Sequence, residues 1–255
     1  MQKLNQPVPP EILKRNLDSV RTRIAQAAAK SGRSPELIRL VAITKYVNLS
    51  AIQGLHQLGV TDFGESRIQD AEKKIAAFAT SSSPPVWHLV GHLQTNKADK
   101  ASRLFQFIHS VDSPRVAEAL NKEQTRNLQR TVAGGQEPRA KSQELQCLLE
   151  INTAGEESKF GLPPQEGAIR DLLKACTQLP ALRIVGLMTM APYSDNPEAT
   201  SRPVFRRLRA LLEDANSSGV YPTPLTELSM GMTQDFEIAI EEGATMVRVG
   251  SALFE

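Results

Sequence analysis

Apolar residues along this chain recur at two alternating periods, and each change of period predicts an element. Over 8–31, Ile12, Leu13, Leu17, Val20 and Ile24 fall at helical spacing behind a run of prolines, which predicts an amphipathic helix ending near Gly32. The stretch 38–46, Ile-Arg-Leu-Val-Ala-Ile-Thr-Lys-Tyr, is instead the near-continuous apolar run of a strand buried on both faces. Ser50 is placed to cap a second helix that runs through Leu58 and closes at Gly59. The two patterns then take turns: a strand and turn at 61–66, a helix at 67–79, a Ser/Pro loop at 81–85, a strand at 86–91 and a helix at 95–102. A strand at 105–111 precedes a helix at 114–128 that carries proline in its first turn. The segment 131–142, rich in Gly, Pro and charge, reads as a surface excursion. Strands at 144–151, 182–190, 226–230 and 245–254 follow, separated by helices at 163–178, 197–217 and 235–242. Within the second of these helices Phe205, Leu208, Leu211 and Leu212 form one stripe.

Eight short apolar strands alternating with helices over a chain of this length predict a single-domain α/β fold, a (β/α)8 TIM barrel. A doubly wound sheet is the runner-up. The chain stops just after the eighth strand, so the 8–31 helix is expected to pack on the barrel where the last helix would lie.

Composition changes this picture little. The 255 residues are 40% hydrophobic and 23% charged, the make-up of an ordinary globular protein. A net charge of +2, from 30 basic and 28 acidic residues spread along the chain, argues against nucleic acid or a membrane as partner. Cys147 and Cys176 lie in apolar runs and suit buried thiols in a reducing compartment better than a disulfide. No apolar segment reaches the roughly 20 residues of a membrane span, and the first residues lack a leader's apolar stretch, so a cytoplasmic location is expected.

The chemistry of a barrel is expected at the C-terminal ends of its strands. Lys45 closes the first strand, where a desolvated amine can attack a carbonyl and form a Schiff base. Ser229 and Gly231 after the seventh strand, with Gly250 and Ser251 on the eighth, supply small residues whose N–H groups can meet a phosphate. A closed barrel places the first strand beside the eighth. A carbonyl-reactive lysine next to a phosphate cup describes a pyridoxal 5′-phosphate (PLP) site. His88, His92 and His109 lack the cysteine or carboxylate that would complete a metal set, so packing and hydrogen bonding are expected of them. Ser158 and Lys159 lie in the loop after the fifth strand and so face the same mouth. Met188, Met190, Met230 and Met232 read as adaptable packing around a ring.

Several blocks, in one order from end to end, resemble the YggS/PROSC family of PLP-binding homeostasis proteins, related in fold to the barrel domain of alanine racemase. They are Val41-Ala-Ile-Thr-Lys45, Phe63-Gly-Glu65, the run from Trp87 to Lys97, Glu157-Ser-Lys-Phe-Gly161, Gly186-Leu-Met-Thr189, Leu228-Ser-Met-Gly-Met-Thr233 and Met246 to Phe254. The resemblance implies a PLP enzyme barrel of fold type III without the C-terminal β domain, and an internal aldimine between Lys45 and the cofactor. It implies that Ser229, Gly231, Gly250 and Ser251, with the Met230 backbone, hold the phosphate, and that Arg248 faces the pyridine nitrogen. A guanidinium can only donate, which leaves that nitrogen unprotonated and the ring a poorer electron sink. Ser66 stands where many members carry asparagine, and the Gly-x-Arg tail of many members is missing after Phe254 and Glu255, so contacts from both are in question.

Two classes of function compete. In the first, implied by the resemblance, the chain is a PLP carrier in vitamin B6 homeostasis. It acts on amino-acid metabolism indirectly, with PLP-requiring apo-enzymes as acceptors and without turnover. In the second it is an amino-acid racemase-type enzyme, which needs a second base from a separate β domain. No residues remain for such a domain, and none of Tyr46, Tyr193 and Tyr221 is an obvious opposing base. A Schiff-base aldolase would share the lysine and the cup but has no use for Arg248. With no second domain to complete by pairing, a monomer is expected.

Overall fold

The computed structural model describes residues 8–132, 144–156 and 160–255. After helix α1 (Pro10–Lys30), strands and helices alternate as β1 (Arg39–Ile43), α2 (Leu49–Gln57), β2 (Asp62–Glu65), α3 (Ile68–Ala76), β3 (Val86–Leu89), α4 (Ala98–Leu104), β4 (Phe107–Val111) and α5 (Pro114–Val132). The second half runs β5 (Leu145–Glu150), α6 (Glu166–Cys176), β6 (Leu182–Met188), α7 (Pro197–Ser217), β7 (Glu227–Ser229), α8 (Phe236–Glu241), β8 (Met246–Val249) and α9 (Ser251–Phe254). All eight strands are parallel and close into a barrel in chain order, with β8 beside β1 in the register Val41 to Arg248 and Ala42 to Val249. This is the predicted (β/α)8 barrel.

Alternation along each strand divides the apolar residues into two layers. Outward-facing Ala42, Phe63, Trp87, Ile108, Cys147, Leu187 and Val247 pack under the helices in one large cluster. Inward-facing Val41, Phe107, Leu148, Val185, Met188 and Met246 form a smaller cluster inside the barrel. The inner layer is short of apolar side chains because several of its positions are polar, among them Asp62, His88, His109, Ser229 and Arg248, all buried.

Helix α1 buries Leu13, Leu17, Val20 and Ile24 against α8, α9 and α2. Arg23 lies 4.4 Å above the Phe236 ring, and Asn16 Nδ2 donates to the Glu255 carbonyl at 2.7 Å, so α1 covers the side of the barrel closed by β8.

Several boundaries differ from the sequence reading, among them α5, which runs on to Val132, and three bear on the site; residues 133–142 of the expected surface excursion lie outside the described residues. The expected strand at 245–254 ends at Val249; the chain turns at Gly250, and Ser251–Phe254 are helical, burying Leu253 and Phe254 in the outer layer. Apolar content alone does not separate a strand from a single buried helical turn. The cap of α2 is Asn48, whose Oδ1 accepts from Ala51 N at 2.9 Å, while Ser50 lies inside the first turn and donates to that same oxygen. Strand β1 ends at Ile43, so Lys45 stands in the turn beyond it.

Candidate functional site

Three consecutive strands, β7, β8 and β1, bring most of the predicted residues to the C-terminal mouth. A Cβ at Gly250 would lie 3.6 Å from Ile43 Cβ, which puts the β8 turn against the end of β1, two residues before Lys45. Gly231 has φ +90°, and a Cβ there would fall 2.5 Å from Ala239 Cβ and 2.8 Å from Phe236 Cα, so only glycine lets the β7 turn lie on α8. Among the described residues the N–H groups of Gly231, Ser251 and Ala252 donate to no protein acceptor. Gly250 N donates to Thr233 Oγ1 at 3.3 Å, which ties the two turns together. Met230 is buried with its N–H on the Met246 carbonyl, so its contribution is to the shape of the turn.

Lys45 is exposed, and among the described residues its amine has no ion-pair or hydrogen-bond partner. Its backbone, by contrast, is held from both sides. Lys74 of α3 donates to the Thr44 carbonyl at 2.7 Å and to Glu65 Oε1 at 2.5 Å, and the Thr44 hydroxyl donates to that same oxygen at 2.6 Å. Glu65 is fully buried, so this carboxylate and cation form a pair whose disruption is costly. On the other side Tyr46 adopts φ +66°, the one positive φ outside glycine among the described residues. Arg67 lies 5.9 Å above its ring. A bulky residue in the left-handed region persists only where its surroundings impose it. The clamp from Lys74 and Glu65 was not foreseen from the sequence; its signal is Phe63-Gly-Glu65 on the strand next to β1, with a lysine one helix further on.

Arg248 is buried and has no carboxylate in contact among the described residues. Nη1 donates to Ser229 Oγ and Nη2 to the Thr189 carbonyl, both at 2.7 Å, and among the described residues no acceptor takes its remaining N–H groups. Burial lowers its pKa to about 10, partly opposed by the charges of Asp235 and Glu150. The Ser229 hydroxyl therefore contacts Arg248 and, on its other side, His109 Nδ1 at 2.9 Å. His109 Nε2 meets His88 Nδ1 at 2.9 Å, and His88 Nε2 meets Asp62 Oδ1 at 2.9 Å. Burial pushes the pKa of both rings down, most strongly for His109, and the facing Asp62 opposes this at His88. The reading of His88 and His109 as hydrogen-bonded groups thus agrees with their placement, but the line they form was missed. All five members occupy inward positions of their strands, so parity was the available signal.

Glu150 ends β5, across the barrel from β1, with Oε2 buried and, among the described residues, without a partner. Burial, reinforced by Asp112 and relieved by Arg248, raises its carboxyl to about 7. His92 stacks on Phe160 with ring centroids 3.7 Å apart and borders an open cleft of about 800 Å³ beyond β3 and β4, which none of the predicted cofactor residues line. Ser66 makes no side-chain hydrogen bond among the described residues, although its carbonyl lies where a Cβ on Gly91 would fall, 2.3 Å away. Ser158 and Lys159 lie outside the described residues.

A parallel barrel with a lysine just past β1 and glycine turns after β7 and β8 defines a class, and the family of the alanine racemase N-terminal domain matches residues 15–255. Pyridoxal phosphate homeostasis proteins resemble the chain over nearly their whole length. That of Pseudomonas aeruginosa is 37% identical, covering 94% of this chain and 93% of that relative, and that of Aquifex aeolicus is 35% identical, covering 93% and 95%. The solved structure of PipY from Synechococcus elongatus with PLP bound superposes with TM-score 0.73 at 31% identity, over 91% of this chain and all of that one. The chain belongs to the pyridoxal phosphate homeostasis protein family.

Proposed function

We propose that the chain holds PLP at the mouth of the barrel, through a Schiff base to Lys45, and acts in PLP homeostasis rather than in turnover. The observation that carries this reading is the donor set on β1, β7 and β8: an unpaired amine, three unused N–H groups and a buried guanidinium with donors to spare. PLP, when bound, supplies an aldehyde for the amine, a phosphate dianion and a ring nitrogen. The Gly231, Ser251 and Ala252 N–H groups and the Ser251 hydroxyl would take the phosphate, on the frame formed by Met230 and Gly250. Arg248 would donate to the ring nitrogen, and Ser229 would hold Arg248 in place. The pair of Lys74 and Glu65 fixes the backbone before Lys45 and the strained Tyr46 fixes it after, so the amine is presented from a rigid turn.

A guanidinium opposite the ring nitrogen keeps a proton off it and disfavours carbanion chemistry, which suits a carrier. In this reading the chain is a cytoplasmic monomer that passes PLP to apo-enzymes and influences amino-acid pools through them. A titration of wild type and Lys45→Ala with PLP, followed by removal of free cofactor, tests it: a visible band that stays with the protein is expected in the wild type only. An equal band in Lys45→Ala would contradict the covalent link.

A further inference from the structure

Barrel interiors are usually filled by branched apolar side chains. Here a line of polar ones crosses the interior, from Arg248 on β8 to Asp62 on β2, and counting hydrogens gives the line a direction. Arg248 can only donate, so Ser229 Oγ accepts from Nη1. The single hydroxyl proton of Ser229 is then free for His109 Nδ1. A ring that accepts at Nδ1 while neutral carries its proton on Nε2, so His109 donates to His88 Nδ1. By the same rule His88 carries its proton on Nε2 and donates to Asp62 Oδ1. Burial pushes the Asp62 pKa up, but the hydrogen bonds from His88 and Thr61 and the nearby Arg39 outweigh it and hold the pKa below the usual carboxylate value, so Asp62 ends the line as an anion. It also accepts from the Thr61 hydroxyl at 2.7 Å and lies 3.7 Å from Arg39 Nε. The opposite direction fails, because it sets the His88 Nε2 lone pair against the Asp62 carboxylate at 2.9 Å. Phe107 stacks on His88 with ring centroids 4.6 Å apart and fixes the plane of that ring. The far end of the line reaches a cleft of about 460 Å³ at the N-terminal face, bordered by Arg39 and Asp62.

We propose that His109, His88 and Asp62 are positioning residues for Arg248: a one-way chain of hydrogen bonds through two neutral imidazoles holds the Ser229 hydroxyl with its lone pairs towards the guanidinium, and so aims the guanidinium at the cofactor ring. The inference rests on the reading of Arg248 given above.

Two measurements test it. In the cofactor-free full chain labelled with 15N-histidine, two-bond correlation spectra should show two rings that stay neutral with the proton on Nε2 from about pH 6 to about pH 8. His88→Gln and His109→Gln should each remove one of them. A charged ring or a proton on Nδ1 at either site overturns the proposal. The second measurement is the visible band and the release rate of added PLP. His109→Leu should shift the band and speed release about tenfold, as expected for loss of one buried hydrogen-bonded support. His109→Gln, whose amide oxygen accepts and whose nitrogen donates as the ring does, should restore both. Leu and Gln variants that behave alike overturn the proposal. Failure of the wild type to take up PLP overturns the underlying reading and this one together; uptake with the wrong tautomers overturns this one alone.

Discussion

Glu150 is a buried carboxyl that, among the described residues, has no cation in contact and one oxygen unpartnered, and its pKa of about 7 follows mainly from burial. A carboxyl whose folded pKa lies above its unfolded value of 4.5 favours the fold in its protonated form. That contribution is complete below about pH 4.5 and is lost as pH rises through about 7. Glu150→Gln keeps the shape and removes the charge, so it should match the wild type at about pH 4 and be more stable at about pH 8. The expected gain is about 2–3 kcal/mol, or about 5–10 °C in Tm. Thermal melts of the cofactor-free proteins at the two pH values check this; a difference independent of pH would show that residue 150 is not the titrating group. The same logic applies with opposite sign to His88 and His109, which burial keeps neutral: their contribution is present above the ordinary histidine pKa and fades as pH falls below it.

The turns after β7 and β8 are where elements, rather than single side chains, build the candidate cup. Gly231 allows the β7 turn to lie directly on α8, whose Phe236 Cα and Ala239 Cβ occupy the space a side chain would need. Gly231→Ala combines a positive φ with overpacking and should cost about 2–4 kcal/mol, a drop of about 5–15 °C in Tm. It should also weaken PLP retention by tilting the Gly231 N–H; an unchanged melt would mean that the turn relaxes without strain. These turns also show what a sequence pattern can convey. The glycine and serine spacing predicts turns whose N–H groups are free to meet an anion, but an apolar tail such as Ala-Leu-Phe fits a strand and a helical turn equally well. Only the packing of Leu253 and Phe254 in the outer layer beneath α1 decides for the helix. Likewise Asn48 and Ser50 are both competent caps, and the chain direction after Tyr46 selects Asn48.

Across the molecule, the barrel was legible because eight doubly buried strands write themselves as eight apolar runs. The neighbourhood of Lys45, Arg248 and Gly250 followed from closure alone. The interior line was not legible as a unit, since its links join residues 21, 26 and 120 positions apart and depend on register. Parity does mark each member as inward-facing once the strands are drawn. The Lys74 clamp on Thr44 was hidden for a related reason, because a helix surface lysine and a strand carboxylate meet only after α3 docks. The Schiff base proposed at Lys45 is a covalent link and so can be trapped. Borohydride reduction of the wild-type chain loaded with PLP, followed by peptide mass mapping, tests it most directly. A single modified lysine, Lys45, is expected, with Lys74 untouched because its amine is held by Glu65 and the Thr44 carbonyl. Label on Lys74, or spread over several lysines, would contradict it.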